Sequence, residues 1–213
     1  NLITKMYKRT DTTINLFIDK LNKSGVGISL MQNENVCLVP YTLPGERVKA
    51  NIINKFKSKM YCSNLEILEN SSERSNNTCE HFTKCGGCLL QHWQYENYKQ
   101  WKFNLIRQPL LKLTPDIKTL DMISAENYSR RRTKFFLKQY NNSCKLGFKK
   151  YKSETLININ NCIIIDPEIM AFMTELKNAF NKIFLTNEIL IFHVNKLDYG
   201  LDIPVSYTHL TLP

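Results

Sequence analysis

Three cysteines, Cys79, Cys85 and Cys88, lie within ten positions in the spacing C-x5-C-G-G-C. Cys85 and Cys88 can present two thiolates to one metal from a single turn, and the two glycines between them let backbone N–H groups approach the sulfur atoms. Three clustered thiolates with one remote ligand suit a tetrahedral zinc ion or a [4Fe–4S] cluster. The three-plus-one grouping favours the cluster, and buried thiols without a metal are the alternative.

The fourth ligand has four candidates in the sequence, Cys37, Cys62, Cys144 and Cys162, and His81 or His92 could in principle replace a thiolate. Two of them, Cys37 and Cys62, fall in predicted strands, where a free cysteine behaves as a small core residue. Cys144 lies beside a predicted hairpin turn, and Cys162 lies where a strand ends before a helix. A lone histidine near such a group is more often a neighbour than a ligand.

The positive charge is concentrated in one segment of the chain. The formal net charge is +10, and residues 99–152 alone carry 14 Lys and Arg against 3 Asp and Glu. A local basic field of this kind suits a polyanion, most simply nucleic acid. A solvated lysine-rich surface is the competing interpretation.

The composition indicates a globular intracellular protein. The chain has 213 residues, of which 43% are hydrophobic, and its apolar runs are too short to cross a bilayer. Its first residues, NLITKMYKRT, lack the apolar core of a signal peptide, and its odd number of cysteines argues against a disulfide framework. We therefore expect a cytoplasmic monomer with reduced thiols and no membrane partner.

The first third of the chain predicts a small barrel. Pro44 and Gly45 fit the two central positions of a type II turn. After the turn, apolar residues alternate with a basic outer stripe that includes Arg47 and Lys49. A five-stranded barrel of the oligonucleotide-binding type over residues 1–69 is the economical architecture.

The rest of the chain predicts a mixed α/β domain over residues 70–204. A polar linker over 70–78 precedes the cysteines, and a helix begins near Tyr95 and ends at Pro109. Strands are expected at roughly 128–140, 144–151 and 155–159, with a turn at 141–143. Asp166 and Pro167 then begin a helix that reaches about residue 184. The segment 205–213 matches nothing before it and is excluded from the fold prediction.

Three stretches, VPYTLPGERV, SSERSNNTCEHFTKCGGCLLQHWQY and LGFKKYKSETLININNCIIIDPEI, resemble the RNA (uracil-5-)-methyltransferase family in order and spacing. The resemblance runs from about residue 12 to 185. It implies a TRAM domain, which is an OB-like RNA-binding barrel, followed by a domain with a [4Fe–4S] cluster. The family's four cluster ligands would fall on Cys79, Cys85, Cys88 and Cys162.

The resemblance also implies a basic RNA-binding motif at residues 128–134, YSRRRTK. On an extended strand, Arg130, Arg132 and Lys134 share a face and are well placed to contact successive phosphates. A strand edge kept soluble by charge is the alternative. The complete set of predicted RNA-binding residues is Arg47, Lys49, Arg130, Arg131, Arg132 and Lys134.

Members of this family end in a Rossmann-like domain that binds S-adenosylmethionine and carries a catalytic cysteine. Here the only glycine after Gly147 is Gly200, and no cysteine follows Cys162. The predicted fold class is therefore α+β, a TRAM barrel followed by an iron–sulfur domain, with the catalytic and cofactor-binding domain missing. The resemblance implies that the chain is the RNA-binding and [4Fe–4S]-binding N-terminal part of an S-adenosylmethionine-dependent 23S rRNA uracil-C5 methyltransferase, truncated before its catalytic domain. The alternatives are a stand-alone nucleic-acid-binding metalloprotein and a part of a tRNA-directed enzyme.

Overall fold

The computed structural model describes residues 12–76, 79–140, 143–182 and 189–207. This part of the chain divides into two compact units. The first contains residues 12–76 and 89–122, and the second contains residues 79–88 and 123–207. The first unit thus includes stretches on both sides of the cysteine loop.

The first unit contains one six-stranded sheet with the order β1-β5-β6-β4-β3-β2. Neighbouring strands are antiparallel except β4 and β6, which are parallel. The strands are β1 (Thr12–Phe17), β2 (Lys20–Leu21), β3 (Gly27–Leu30), β4 (Val36–Val39), β5 (Arg47–Phe56) and β6 (Lys59–Glu69). The prediction of a five-stranded barrel is therefore wrong in its strand count.

Strand β5 shows the predicted alternation in its first half. Val48 and Ala50 are fully buried, whereas Arg47 and Lys49 are exposed. The register with β6 shifts between Ile52 and Asn54, and beyond that point Phe56 is 46% exposed instead of facing the core as predicted. The extra residue at a register shift turns the following side chains to the other face of the sheet.

The predicted turn before β5 is confirmed. Gly45 has a φ of +83°, the value that the third position of a type II turn requires. The backbone N–H of Glu46 closes the turn on the carbonyl of Leu43 at 3.3 Å. Glu46, the residue after Gly45, is fully buried.

Helix α1 (Tyr95–Leu113) extends past the predicted stop at Pro109. A proline removes one backbone donor without removing those that follow it, and the N–H of Thr114 closes the helix on the Leu110 carbonyl at 2.9 Å. No residue of α1 is fully buried. Its aromatic stripe is therefore only partly packed, with Trp101 5.7 Å from the ring of Trp93 and Tyr95 54% exposed.

The second unit contains another six-stranded sheet, in which the order is β11-β10-β7-β8-β9 and β12 also pairs with β10. All its pairings are antiparallel. Its elements are β7 (Arg132–Tyr140), β8 (Ser143–Lys149), β9 (Leu156–Asn158), α2 (Pro167–Phe180), β10 (Ile189–Leu197), β11 (Gly200–Asp202) and β12 (Val205–Tyr207). Residues 205–207, which the sequence analysis excluded, thus form a strand.

Helix α2 covers one face of the second sheet. Its Ile169 and Met173 are buried against Phe135 and Leu137 of β7, in a core that Phe192 of β10 also joins. The predicted helix start is confirmed, since the Asp166 side chain accepts a hydrogen bond from the Glu168 N–H at 3.0 Å. In the described part of the chain, no helix combines the length and apolar character needed to cross a membrane.

Candidate functional site

The cysteine loop is held against the second sheet by its backbone. The N–H of Cys85 donates to the His81 carbonyl at 2.8 Å, and the N–H of Gly86 donates to the Lys149 carbonyl at 3.0 Å. The N–H of Gly87 then donates to the Cys85 sulfur at 3.3 Å. The backbone N–H of Gly87 therefore reaches a sulfur atom, as the spacing predicted.

The structure brings Cys162 toward the loop. Cys79, Cys85, Cys88 and Cys162 are all half-buried free thiols. Burial raises the pKa of Cys85, the N–H of Gly87 opposes this shift, and the nearby thiols of Cys162 and Cys79 raise the pKa further.

The other candidate ligands have separate surroundings. Cys37 and Cys62 are buried in the core of the first sheet, as predicted. Cys144 is buried in the second core, where its thiol donates to the Phe180 carbonyl at 3.3 Å. His81 accepts a hydrogen bond from the N–H of Asn160, and His92 lies fully buried in the first unit.

The expected cofactor assignment is wrong. Among the described residues, no three His, Cys, Asp or Glu side chains are arranged to hold a metal ion. The spacing of the cysteines predicted their proximity but not their geometry.

Replacing Gly86 with alanine should destabilise the second unit by about 1–3 kcal/mol, because overpacking forces the backbone to shift. An added Cβ would lie 2.7 Å from the Tyr151 nitrogen and 2.8 Å from the Lys149 carbonyl oxygen. Gly87→Ala is the matched control, since its Cβ would meet only the Cys85 sulfur, at 3.4 Å. Urea unfolding of both variants measures the difference, and equal stabilities would contradict the close approach.

The basic motif lines a cavity of about 500 Å³ at one end of β7 and β10. Its lining residues are Arg132, Thr133, Lys134, His193, Asn195 and Pro204. Arg132 lies opposite Asn195 in the sheet register, and Lys134 lies opposite His193. None of these lining residues is acidic, so the cavity presents two cations and several hydrogen-bond donors to an anion.

The remaining predicted RNA-binding residues lie in different places. Arg130 precedes β7 and forms an isolated backbone bridge with Ile165. Arg131 is paired with Asp198, at 2.7 Å on an exposed surface. Arg47 is paired with Glu69 at 3.1 Å in the first unit.

Sequence reasoning missed part of the basic surface. Lys138, Lys145 and Lys149 each lie close to an aromatic ring of the second sheet. The signal was present in the strict alternation K-F-F-L-K-Q-Y from Lys134 to Tyr140, which places lysines and two aromatic residues on one face.

The chain is similar to curated RNA methyltransferases, although no family model matches it. It is 33% identical over 162 residues to an RNA methyltransferase of Brucella melitensis, which covers 76% of this chain and 38% of the relative. It is 27% identical over 174 residues to the 23S rRNA (uracil(1939)-C(5))-methyltransferase RlmD of Shewanella denitrificans. That alignment covers 78% of this chain and 37% of the relative. The chain thus spans about two fifths of these relatives.

A solved structure corrects the expected fold class. The chain is similar to the tRNA (uracil-54, C5)-methyltransferase of Pyrococcus abyssi in complex with S-adenosyl-L-homocysteine, with a TM-score of 0.63 and 20% sequence identity. The match covers 93% of this chain and 47% of the Pyrococcus chain. The expected TRAM barrel plus iron–sulfur domain without a catalytic domain is therefore wrong, because nearly the whole chain follows the fold of a methyltransferase. The expectation that S-adenosylmethionine belongs only to a missing domain is wrong for the same reason.

Proposed function

Because the chain belongs to the same family of RNA methyltransferases as these relatives, we propose that it binds RNA for S-adenosylmethionine-dependent methylation of uracil at C5. Relatives named for 23S rRNA support ribosomal RNA as the substrate. The solved neighbour, named for uracil 54 of tRNA, supports tRNA as the second candidate.

The cavity at one end of β7 and β10 supports the RNA-binding part of this proposal. Arg132 and Lys134 are exposed and line the same space, with the partly buried His193 and Asn195 opposite them. Arginine and lysine side chains bind phosphate oxygens through charge-assisted hydrogen bonds. A cavity of about 500 Å³ accommodates one nucleotide phosphate with its sugar. Arg130 and Arg131, just before β7, would extend the contact along the RNA backbone, with Arg47 and Lys49 as a second basic surface on the first unit.

S-adenosylmethionine does not fit this cavity. Its sulfonium group is positively charged, and the described lining contains the cations of Arg132 and Lys134 without a carboxylate. The methyl donor supplies the methyl group for the reaction, whereas the residues of this cavity can only bind and orient an anion. We therefore assign the cavity to RNA.

The double variant Arg132→Gln with Lys134→Gln tests the proposal. We expect RNA affinity to fall at least about tenfold in 0.1 M salt, because two charge-assisted contacts are lost. The slope of log K against log salt should become shallower by about 1–2. Fluorescence anisotropy with a labelled 23S rRNA fragment measures both quantities.

The control removes the same charge elsewhere. Lys20 and Lys23 are exposed in the first unit, and the double variant Lys20→Gln with Lys23→Gln should bind RNA like the wild type. Equal losses in the two double variants would contradict a specific site at β7.

Competition between the 23S rRNA fragment and a tRNA transcript distinguishes the two substrates. Mass spectrometry of RNA from a gene-deletion strain should show loss of 5-methyluridine from 23S rRNA, and an unchanged content in both RNAs would refute the methylation.

A further inference from the structure

The outer face of the second sheet combines lysines with aromatic rings. Along β7 the buried side chains are Phe135, Leu137 and Gln139, so the residues between them point to the face opposite helix α2. We call this surface the lysine–aromatic face, and it consists of Lys134, Phe136, Lys138 and Tyr140 of β7 with Lys145 and Lys149 of β8.

Each ring on this face has two ammonium groups close to it. The ring centroid of Phe136 is 5.2 Å from the Lys134 nitrogen and 4.7 Å from the Lys149 nitrogen. The centroid of Tyr140 is 5.4 Å from the Lys138 nitrogen and 4.8 Å from that of Lys145. These distances lie within the range of cation–π contacts.

The arrangement of charge on this face is unfavourable for the protein alone. Lys138 and Lys145 lie directly opposite each other in the register of β7 and β8, and like charges at such positions repel. Within the described part of the chain, the one ion pair on this face joins Lys149 to Glu154. A polyanion would neutralise the remaining lysines. The charge pattern therefore favours nucleic acid over a partner with an apolar surface or with few negative charges.

The rings are placed to receive bases. Tyr140 is 39% exposed, and Phe136 is half-buried. Unpaired bases stack on aromatic side chains of exposed sheets, whereas the bases of a duplex are hidden within it. The flexible lysine side chains can move from the rings to adjacent phosphates when a base arrives.

The face is continuous with the cavity described above, because Lys134 belongs to both. We infer that the lysine–aromatic face binds a single-stranded segment of RNA, with two unpaired bases stacked on Phe136 and Tyr140 and the lysines holding the phosphates. This inference rests on the proposed RNA-binding function and adds the form of RNA that is recognised.

Binding of a labelled single-stranded oligouridylate to the full chain tests the inference by fluorescence anisotropy. Phe136→Leu and Tyr140→Leu should each weaken binding roughly five- to hundredfold, the range for loss of one stacked base. Their salt dependence should stay like that of the wild type, since no charge is removed. A duplex of equal length should bind the wild type and both variants alike.

The matched control is Phe56→Leu, because Phe56 is 46% exposed and lies 5.6 Å from the Lys57 nitrogen in the first unit. This variant should bind the oligonucleotide like the wild type. Tyr140→Trp gives a second readout that preserves an aromatic ring, and the fluorescence that it adds to that of Trp93 and Trp101 should be quenched by the oligouridylate but not by heparin.

The outcomes separate the inference from the proposed function. Wild-type affinity in both leucine variants, or equal quenching of the tryptophan by heparin, overturns base stacking while leaving RNA binding intact. Failure of the wild-type chain to bind any RNA overturns the proposed function itself. Weakened binding of duplex and single strand alike in the leucine variants would also contradict the inference, because stacking requires unpaired bases.

Discussion

Replacing Arg74 with methionine should lower the free energy of unfolding of the first unit by about 3–5 kcal/mol, the cost of breaking a buried ion pair. Its partner Glu46 has no exposed surface. The Arg74 guanidinium donates to both oxygens of that carboxylate, at 2.5 Å and 2.9 Å, and also to the Tyr41 carbonyl. Without the arginine, a buried carboxylate would lack its cation, although the Leu43 N–H still donates to it.

Urea unfolding followed by tryptophan fluorescence measures this loss, since Trp93 and Trp101 both lie in the first unit. The control Arg47→Met breaks an exposed pair with Glu69 in the same unit, and we expect it to cost under about 1 kcal/mol. The double variant Arg74→Met with Glu46→Gln should recover part of the stability, because it removes the unpaired charge. Similar losses for Arg74→Met and Arg47→Met would contradict the structural importance of the buried pair.

Features specified by local sequence were predicted well. A glycine after proline fixed the turn at Gly45, because the required positive φ excludes most other residues. Asp166 followed by proline fixed the start of α2 through a hydrogen bond that spans two residues. The alternation of Val48 and Ala50 with charged residues likewise identified the inner face of β5. In each case the determining interaction lies within a few positions.

Features that depend on distant partners were not predictable. Residues 70–78 were predicted as a linker, since serine, asparagine and charged residues are typical of solvated loops. In the structure Arg74 pairs with a residue 28 positions away, and Glu73 accepts a hydrogen bond from the Trp93 indole at 2.6 Å. These partners turn a polar stretch into a structured support for the sheet, which composition cannot reveal.

The cysteines show the same limit at the candidate site. Their spacing predicted a loop in which glycine N–H groups reach sulfur, and Gly87 confirms it. The pKa of Cys85 depends instead on burial, which raises it, and also on the thiol of Cys162, which is 77 positions away. Motif spacing therefore constrains the backbone of such a loop more strongly than it constrains what the loop binds.

The free energy of unfolding should fall by on the order of 3 kcal/mol between pH 6.5 and pH 4 because of His92 alone. Burial, and next the positive charge of Arg74, lower the pKa of His92 to about 4, although Glu46 and a hydrogen bond with the Thr42 backbone oppose the shift. In the unfolded chain the imidazole has its ordinary pKa of 6.5. Between these values the unfolded state binds more protons, so this stability is complete above pH 6.5 and is lost as the pH falls.

His92→Gln should remove this loss of stability between pH 6.5 and pH 4. Comparing the pH dependence of its urea midpoint with that of the wild type separates the contribution of the histidine from that of the carboxylates. The imidazole resonances of His92 in NMR spectra should titrate near pH 4, and a midpoint near 6.5 would refute the prediction. Arg74→Met should move that midpoint upward, because it removes a cation that disfavours the imidazolium. The same arginine therefore stabilises the buried carboxylate and helps to keep the neighbouring histidine neutral. Its loss should lower the free energy of unfolding. It should also narrow the interval between the folded-state and unfolded-state pKa values of His92, over which acid destabilises the fold.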